Sequence, residues 1–263
     1  MVKTLVRSKL APLFAFVLRN LPTHRSRKKF EKVFGPYFSG SVAKTAYGFE
    51  MLCNWYDNAN RRIFEGNFGV VEDFILGLPP NALFIDIGAN QGGTAIMASR
   101  VLVGGGQVMA YEPNPLAISL MNENLILNDC NNVHVFEKGV ASSRKELRVD
   151  NSNVENSGST RVSDDGVVVE MAPVSLRDVE LVLRDSPVFV KIDTEGFEME
   201  VLTGISELLS AKKVQRLVVE IDKYNLEKFG SSPEMVYEYL ANFGFSPNRG
   251  LSGGHYDEVF FAK

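Results

Sequence analysis

From residue 82 onward the chain alternates short apolar runs with stretches of helical period, and few architectures accommodate that rhythm. Residues 82–87, 107–111, 133–136, 187–192 and 216–221 each read as a short strand buried on both faces. Residues 94–102, 115–127, 199–209 and 233–243 read as helices between or after them. Strands separated by helices of this length imply βαβ units and an open parallel sheet. Residues 142–174 interrupt the rhythm. They are rich in Ser, Asn, Asp and Val and read as a β-hairpin excursion with a mobile loop near residues 151–160. The chain closes with two short runs around Gly250-Leu-Ser-Gly-Gly254, a hairpin that would insert one antiparallel strand into the sheet. The expected fold class is therefore α/β, with a mostly parallel sheet over residues 76–263 and a basic, mainly helical extension over residues 1–75.

Charge is distributed unevenly between those two parts. Through Val33 the chain holds nine Lys or Arg against the single acid Glu31, a balance of +8; with -4 overall, the remaining residues carry -12. A basic face suited to nucleic acid is absent from that acidic remainder, so no nucleic-acid partner is expected. In the basic part, Val6, Leu10, Leu13, Val17 and Leu21 recur at helical spacing. Three readings stay open for this segment: a helix packed on its own domain or on a second copy of the chain, a peripheral membrane contact, or a processed signal. The apolar run is too short to span a bilayer. Cys53 and Cys130 stand alone without metal-ligand spacing, which points to no disulfide framework, no metal site and a reducing cytoplasm.

In open α/β sheets ligands bind outside the carboxyl ends of the strands, so the residues ending each strand carry the functional information. The first strand runs into Asp86-x-Gly88-Ala-Asn90-x-Gly92, the second into Glu112-Pro113-Asn114, the third into Gly139-Val140-Ala141, the fourth into Asp193-Thr-Glu195. Glycines at the first turn let a ligand approach the backbone closely. The spacing is G-x-x-x-G, not the G-x-G-x-x-G of dinucleotide sites. Asp86 would repel a pyrophosphate and suits a cationic ligand, while Glu112 is positioned to accept both hydroxyls of a ribose. The combination fits an adenosine ligand without phosphates, and S-adenosylmethionine is the common cofactor of that description. Read singly, Asp86 is also a plain cap residue, and Glu112-Pro113-Asn114 a plain strand-to-helix turn.

Taken together with Glu112-Pro113-Asn114-Pro115 and Lys191-Ile-Asp193-Thr-Glu195-Gly196-Phe-Glu198, the glycine segment resembles the FkbM-type methyltransferase family over roughly residues 84–245. The resemblance implies a Rossmann-like sheet of seven strands with the last antiparallel. It also implies that Asp86, Gly88 and Asn90 line the methionine end of the cofactor, that Glu112 meets the ribose and that Val140 lies near the adenine, with Gly92 and Asn114 also among the cofactor-binding residues. The activity it implies is O-methylation of a hydroxyl on a sugar, glycoconjugate or natural product.

Methyl transfer from a sulfonium is an in-line displacement, so alignment supplies most of the catalysis, and an alcohol acceptor still needs a base. Asp193 is the first candidate, with orientation of the cofactor's ammonium group as its other reading. Glu195 shares its side if the strand persists, and His255 in the closing loop is the third. Two rival readings remain, a nicotinamide-dependent oxidoreductase on a similar sheet and a non-catalytic module that keeps the cofactor pocket.

Overall fold

A computed structural model describes residues 10, 13–14, 16–17, 20–54, 57–149, 165–183 and 185–263. The loop expected to be mobile near residues 151–160 lies outside them, as does Val6. The chain opens with helix α1 (His24–Phe38), strands β1 (Val42–Lys44) and β2 (Glu50–Leu52), and helices α2 (Asn58–Glu65) and α3 (Val70–Leu76). The α/β repeat then runs β3 (Leu83–Ile87), α4 (Gly93–Val101), β4 (Gln107–Tyr111), α5 (Pro115–Leu127) and β5 (Val133–Phe136). The excursion contributes β6 (Gly139–Val140), β7 (Lys145–Val149) and β8 (Val167–Ala172). It is followed by α6 (Leu176–Val182), β9 (Val188–Ile192), α7 (Glu198–Gly204), α8 (Ser206–Ser210) and β10 (Val214–Asp222). Helices α9 (Lys223–Lys228) and α10 (Pro233–Asn242) and strands β11 (Phe245–Pro247) and β12 (His255–Ala262) complete the chain.

Seven strands pair in the order β11-β12-β10-β9-β3-β4-β5, and β12 runs antiparallel to both its neighbours, as the closing hairpin implied. The order reverses between β3 and β9, which places the ligand crevice at their carboxyl ends. In the excursion, β7 and β8 pair antiparallel and β6 adds alongside β8, making a separate three-stranded sheet.

Two local expectations need correction. β1 and β2 form an antiparallel hairpin where helix or irregular chain was expected. Strands of three residues are too short to show a period. The single helix expected over residues 199–209 breaks at Ile205. There the preceding Gly204 lies against the Ala141 backbone, and its carbonyl accepts from the Val174 N–H at 3.0 Å. Of the N-terminal apolar stripe, Leu10 and Leu13 are exposed, while Leu21 packs against the core that the neighbouring Phe14 enters.

Pleating decides what each face of the sheet does. In β3, Leu83, Ile85 and Ile87 enter one core cluster and Phe84 the other; in β9, Val188, Val190 and Ile192 oppose Phe189 in the same way. The Phe84 face is covered by the N-terminal residues, with Phe14, Phe38, Met51, Ile63, Phe64 and Phe68 sharing its cluster with Phe74, Phe189 and Val218. Burying an apolar side chain of this size contributes about 1.5–3 kcal/mol, so this cover is firmly seated. Asn60 and Asn124 pin it further. Asn60 donates to Gln91 Oε1 (2.8 Å), and Asn124 donates to the Gln91 carbonyl (2.9 Å) while accepting from the Leu52 N–H (2.8 Å).

Toward the carboxyl ends that covered face changes from hydrocarbon to charge. Two residues beyond Phe84, Phe189 and Val218 stand Asp86, Lys191 and Glu220, and on β12 His255 and Asp257 precede Val259 at the same spacing. Register makes them neighbours: Asp86 pairs with Lys191, Glu220 with Asp257, and Asp222 with His255.

Candidate active site

The first wall of the site is the turn after β3. Gly88 and Ala89 both donate their N–H to the Tyr111 carbonyl (3.0 and 3.1 Å), which swings the chain out of the sheet. Gly88 has φ +80, and a Cβ there would overlap the Asp193 carbonyl, 2.9 Å from its carbon. The two loops therefore touch through bare backbone. Asn90 donates its N–H to Glu112 Oε2 (2.9 Å) and Asn114 to Glu112 Oε1 (2.8 Å), so the carboxylate is aimed by two main-chain groups. Burial pushes Glu112 up to about 7 against the pull of those hydrogen bonds. Tyr111 stacks on Phe136 (ring centroids 4.6 Å) beside it, and Val140 is buried at the end of the excursion's first strand.

The middle of the site is the loop after β9. The Asp193 N–H donates to the Ile87 carbonyl (3.1 Å), continuing the sheet by one rung. Glu198 holds the rest, its Oε1 accepting from the N–H and hydroxyl of Thr194 (both 3.0 Å) and from the Gly196 N–H (3.1 Å). Lys191, almost fully buried, lies 3.3 Å from both Asp86 Oδ1 and Asp193 Oδ2 and donates to the Gly88 carbonyl (3.3 Å). Burial works against its charge, but the carboxylates of Asp193 and Asp86 outweigh burial and hold the ammonium form. The strand stops at Ile192, so Glu195 reaches the site through left-handed backbone (φ +55) instead of by strand alternation. Its Oε2 accepts from Asn225 (3.0 Å), and burial, then the charges of Asp193 and Glu198, push it up to about 7.

The far end lies on β10 and β12. His255 Nε2 is 2.7 Å from Glu220 Oε1, and its Nδ1 is 4.0 Å from Asp222 Oδ2. The hydrogen bond to Glu220 raises the imidazole to about 9, and burial with the Asp193 charge raises Glu220 well above its ordinary range. From the N-terminal cover, Arg62 stacks over Phe68 (5.7 Å) and sits 3.8 Å from Asp257.

One continuous cleft of about 250 Å³ joins these three parts. Of the residues singled out from the sequence, Gly88, Asn90, Glu112, Val140, Asp193, Glu195 and His255 line it. Asp86, Gly92 and Asn114 stand behind its wall. Asp86 is fully enclosed, taking the Thr94 hydroxyl (2.5 Å) and Lys191; Gly92 (φ +84) starts α4 against Met121; Asn114 caps α5 through Leu116 N–H (2.9 Å). Other lining residues were not singled out from the sequence, among them Tyr111, Arg62, Lys191 as a bridging cation, and Glu220. A lone acid inside the run Leu217–Ile221 was a usable signal for Glu220; nothing around Arg62 distinguishes it. Adjacent strands lie roughly 4.8 Å apart, so Asp193, two strands from Glu112, is about 10 Å across the cleft. Carboxylates outnumber cations along it, which suits a ligand carrying positive charge. Among the described residues, no three His, Cys, Asp or Glu side chains are placed to share a metal ion.

A model of the methyltransferase FkbM domain matches residues 86–247. A hexuronic acid methyltransferase, AglP of Haloferax volcanii, is 30% identical over 136 residues, 52% of this chain and 54% of that protein. The matched region therefore spans about half the length of that relative. Among solved structures, TYW2 of M. jannaschii in complex with AdoMet aligns at TM-score 0.43 and 17% identity over 86% of this chain and 87% of that one. A SAM-dependent methyltransferase from Aquifex aeolicus aligns at TM-score 0.42 and 16% identity over 73% and 88%.

Proposed function

The chain belongs to the FkbM family of S-adenosylmethionine-dependent methyltransferases, and on that premise we propose that it methylates a hydroxyl of a sugar, glycoconjugate or natural product. The observation that carries this reading is the continuous cleft running from Glu112 on one strand end to Glu220 three strands away and His255 four strands away, with Asp193 between them. Its donor set fits the cofactor. The buried Glu112 carboxylate, fixed by two amides, accepts the ribose hydroxyls, and Val140 with Tyr111 gives an apolar wall for the base. Gly88 and Asn90 offer backbone to the methionine end, and Asp86 acts there through Lys191.

Bound S-adenosylmethionine supplies an activated methyl group on sulfur. The protein's part is to hold the acceptor oxygen in line and to take its proton. Asp193, Glu195 and His255 all face the acceptor half of the cleft, and residues 59–68 of the N-terminal extension cover it. The name of the H. volcanii relative supports a sugar as acceptor. The test is a screen of free monosaccharides, including glucuronic acid and methyl glucoside, read as S-adenosylhomocysteine formed. Turnover with a hydroxyl-bearing sugar is expected. Cofactor binding without turnover on any acceptor would leave a non-catalytic module instead.

We also propose that the N-terminal segment seats the enzyme on an anionic bilayer surface. Leu10, Leu13 and Phe16 are exposed, as are Val33, Phe34 and Tyr37 of α1, while Arg25, Lys29 and Lys32 line one exposed stripe of the same helix. Phe14, stacked on Phe30 (5.1 Å) and Phe38 (4.5 Å), holds the two parts together. A cluster of exposed apolar side chains beside basic ones matches an interfacial contact, and the +8 charge complements anionic lipid. No helix among the described residues is long and apolar enough to cross a membrane. Co-sedimentation with phosphatidylglycerol-containing vesicles, lost in a Phe16→Ser/Phe34→Ser variant, is expected; equal recovery with and without vesicles, or salt-insensitive self-association in their place, would refute it.

A further inference from the structure

We infer that Glu220 is a positioning residue that turns His255 into the base for the acceptor hydroxyl. The inference rests on the methyl-transfer reading above. Glu220 belongs to β10 on the face covered by the N-terminal residues and is only 7% exposed. Strand register sets Asp257 opposite it and His255 opposite Asp222, so the imidazole reaches diagonally to the Glu220 carboxylate. Their 2.7 Å contact pairs Nε2 with the carboxylate, so that with Glu220 ionised Nε2 carries the proton. Nδ1 remains for another partner, since Asp222 at 4.0 Å is beyond hydrogen-bond reach. The His255 side chain is half exposed and lines the cleft. A buried carboxylate, an imidazole oriented by it in the wall of the cleft and a second ring nitrogen left for an acceptor make the orienter-and-base arrangement of acid–base catalysis.

The competing bases are committed elsewhere. Asp193 is held by Lys191 at 3.3 Å, and Glu195 by Asn225 at 3.0 Å. In the proposed step the acceptor oxygen forms its bond to the methyl carbon while the carbon–sulfur pair returns to sulfur. The O–H bond breaks and its proton passes to His255 Nδ1. The imidazolium that results is stabilised by Glu220 and gives the proton to water before the next turnover.

The charged groups around the pair are Asp222 and Asp257 from the two strands, Asp193 and Glu195 from the loop after β9, Lys191 from β9 and Arg62 from α2. Carboxylates dominate, in agreement with an imidazole raised to about 9. Neutral His255 therefore becomes more abundant as pH rises to that value, and turnover must rise with it.

The experiment uses the full chain and two readouts. Imidazole NMR signals, with His255 assigned through His255→Asn, should titrate near pH 9 in the parent. In Glu220→Gln they should fall roughly two units, toward the ordinary value of about 6.5. With glucuronic acid and methyl glucoside as probe acceptors, kcat/KM should climb to about pH 9. In Glu220→Gln the climb should end near pH 7 and the plateau drop at least tenfold, with S-adenosylmethionine affinity unchanged and Glu220→Asp partly restoring the profile. If Glu220→Gln does not fold, the half-exposed His255→Asn carries the activity arm and must lose the same climb. An unshifted His255 titration, or an unaltered pH profile, overturns the pair. Failure of the parent to bind S-adenosylmethionine or to methylate either probe overturns the methyl-transfer reading, and the pair's role with it, while the NMR result stands apart.

Discussion

Replacing Gly88 by alanine tests how the cofactor turn and the Asp193 loop are built against each other. The new Cβ would lie 2.9 Å from the Asp193 carbonyl carbon and overlap its oxygen. Carbon–carbon contacts settle at about 3.5–4.0 Å, so the two loops must part by roughly 1 Å. The left-handed φ of +80 adds about 1–2 kcal/mol for a residue with a side chain, and overpacking adds about 1–3 kcal/mol. A total of about 2–5 kcal/mol corresponds to a Tm lower by about 4–20 °C for a chain of this size. The functional effect is larger in kind: a 1 Å displacement between reacting groups costs about 10²-fold in rate. S-adenosylmethionine titration calorimetry and scanning calorimetry read both effects. The control is Gly253→Ala, with nothing within 4 Å of its Cβ, where Tm should stay within about 2 °C. If Gly88→Ala keeps the parent's Tm and cofactor affinity, the backbone contact between the loops does not organise the site.

Lys191→Met should leave Asp86 enclosed without its cation, costing about 3–5 kcal/mol and at least about 6 °C in Tm; adding Asp86→Asn should recover part of the loss, read by thermal unfolding. In the proposed contact with the ribose hydroxyls Glu112 acts as a carboxylate, and it stands at about 7 in the free protein, so binding should lower its pKa and protonation should compete. S-adenosylmethionine affinity should be full above pH 7 and fall by up to tenfold per unit below it, and calorimetry of Glu112→Gln should lose that dependence. Glu198→Ala removes the acceptor of three hydrogen bonds in the 193–196 loop; hydrogen exchange at Thr194 and Gly196 should speed up at least tenfold while the amides of β3 stay protected.

The strand ends were legible because each pairs an apolar run with a glycine or an acid, and the sheet's order follows from those repeats. Glu112 could be placed at the next strand's end from its spacing after Gly92. Asp86 shows the limit of such reasoning. Its position in the motif suggests contact with ligand, but the pleat and register turn it toward Lys191 and the Thr94 hydroxyl, inside the wall. Glu220 and Arg62 were hidden for a related reason. Alternation along β10 tells that Glu220 opposes Ile221, but only the packing of residues 14–68 on one face reveals which side is covered and becomes a site. β1 and β2 carry no period because each has three residues.

The central claim is that the cleft from Gly88 to Glu112 holds an adenosine ligand without phosphates. Calorimetric titration of the parent and of Glu112→Ala with S-adenosylmethionine and with NAD tests it directly. Saturable S-adenosylmethionine binding that weakens at least tenfold in Glu112→Ala, with no binding of NAD, is expected; NAD binding without S-adenosylmethionine binding, or cofactor affinity untouched by Glu112→Ala, would contradict it.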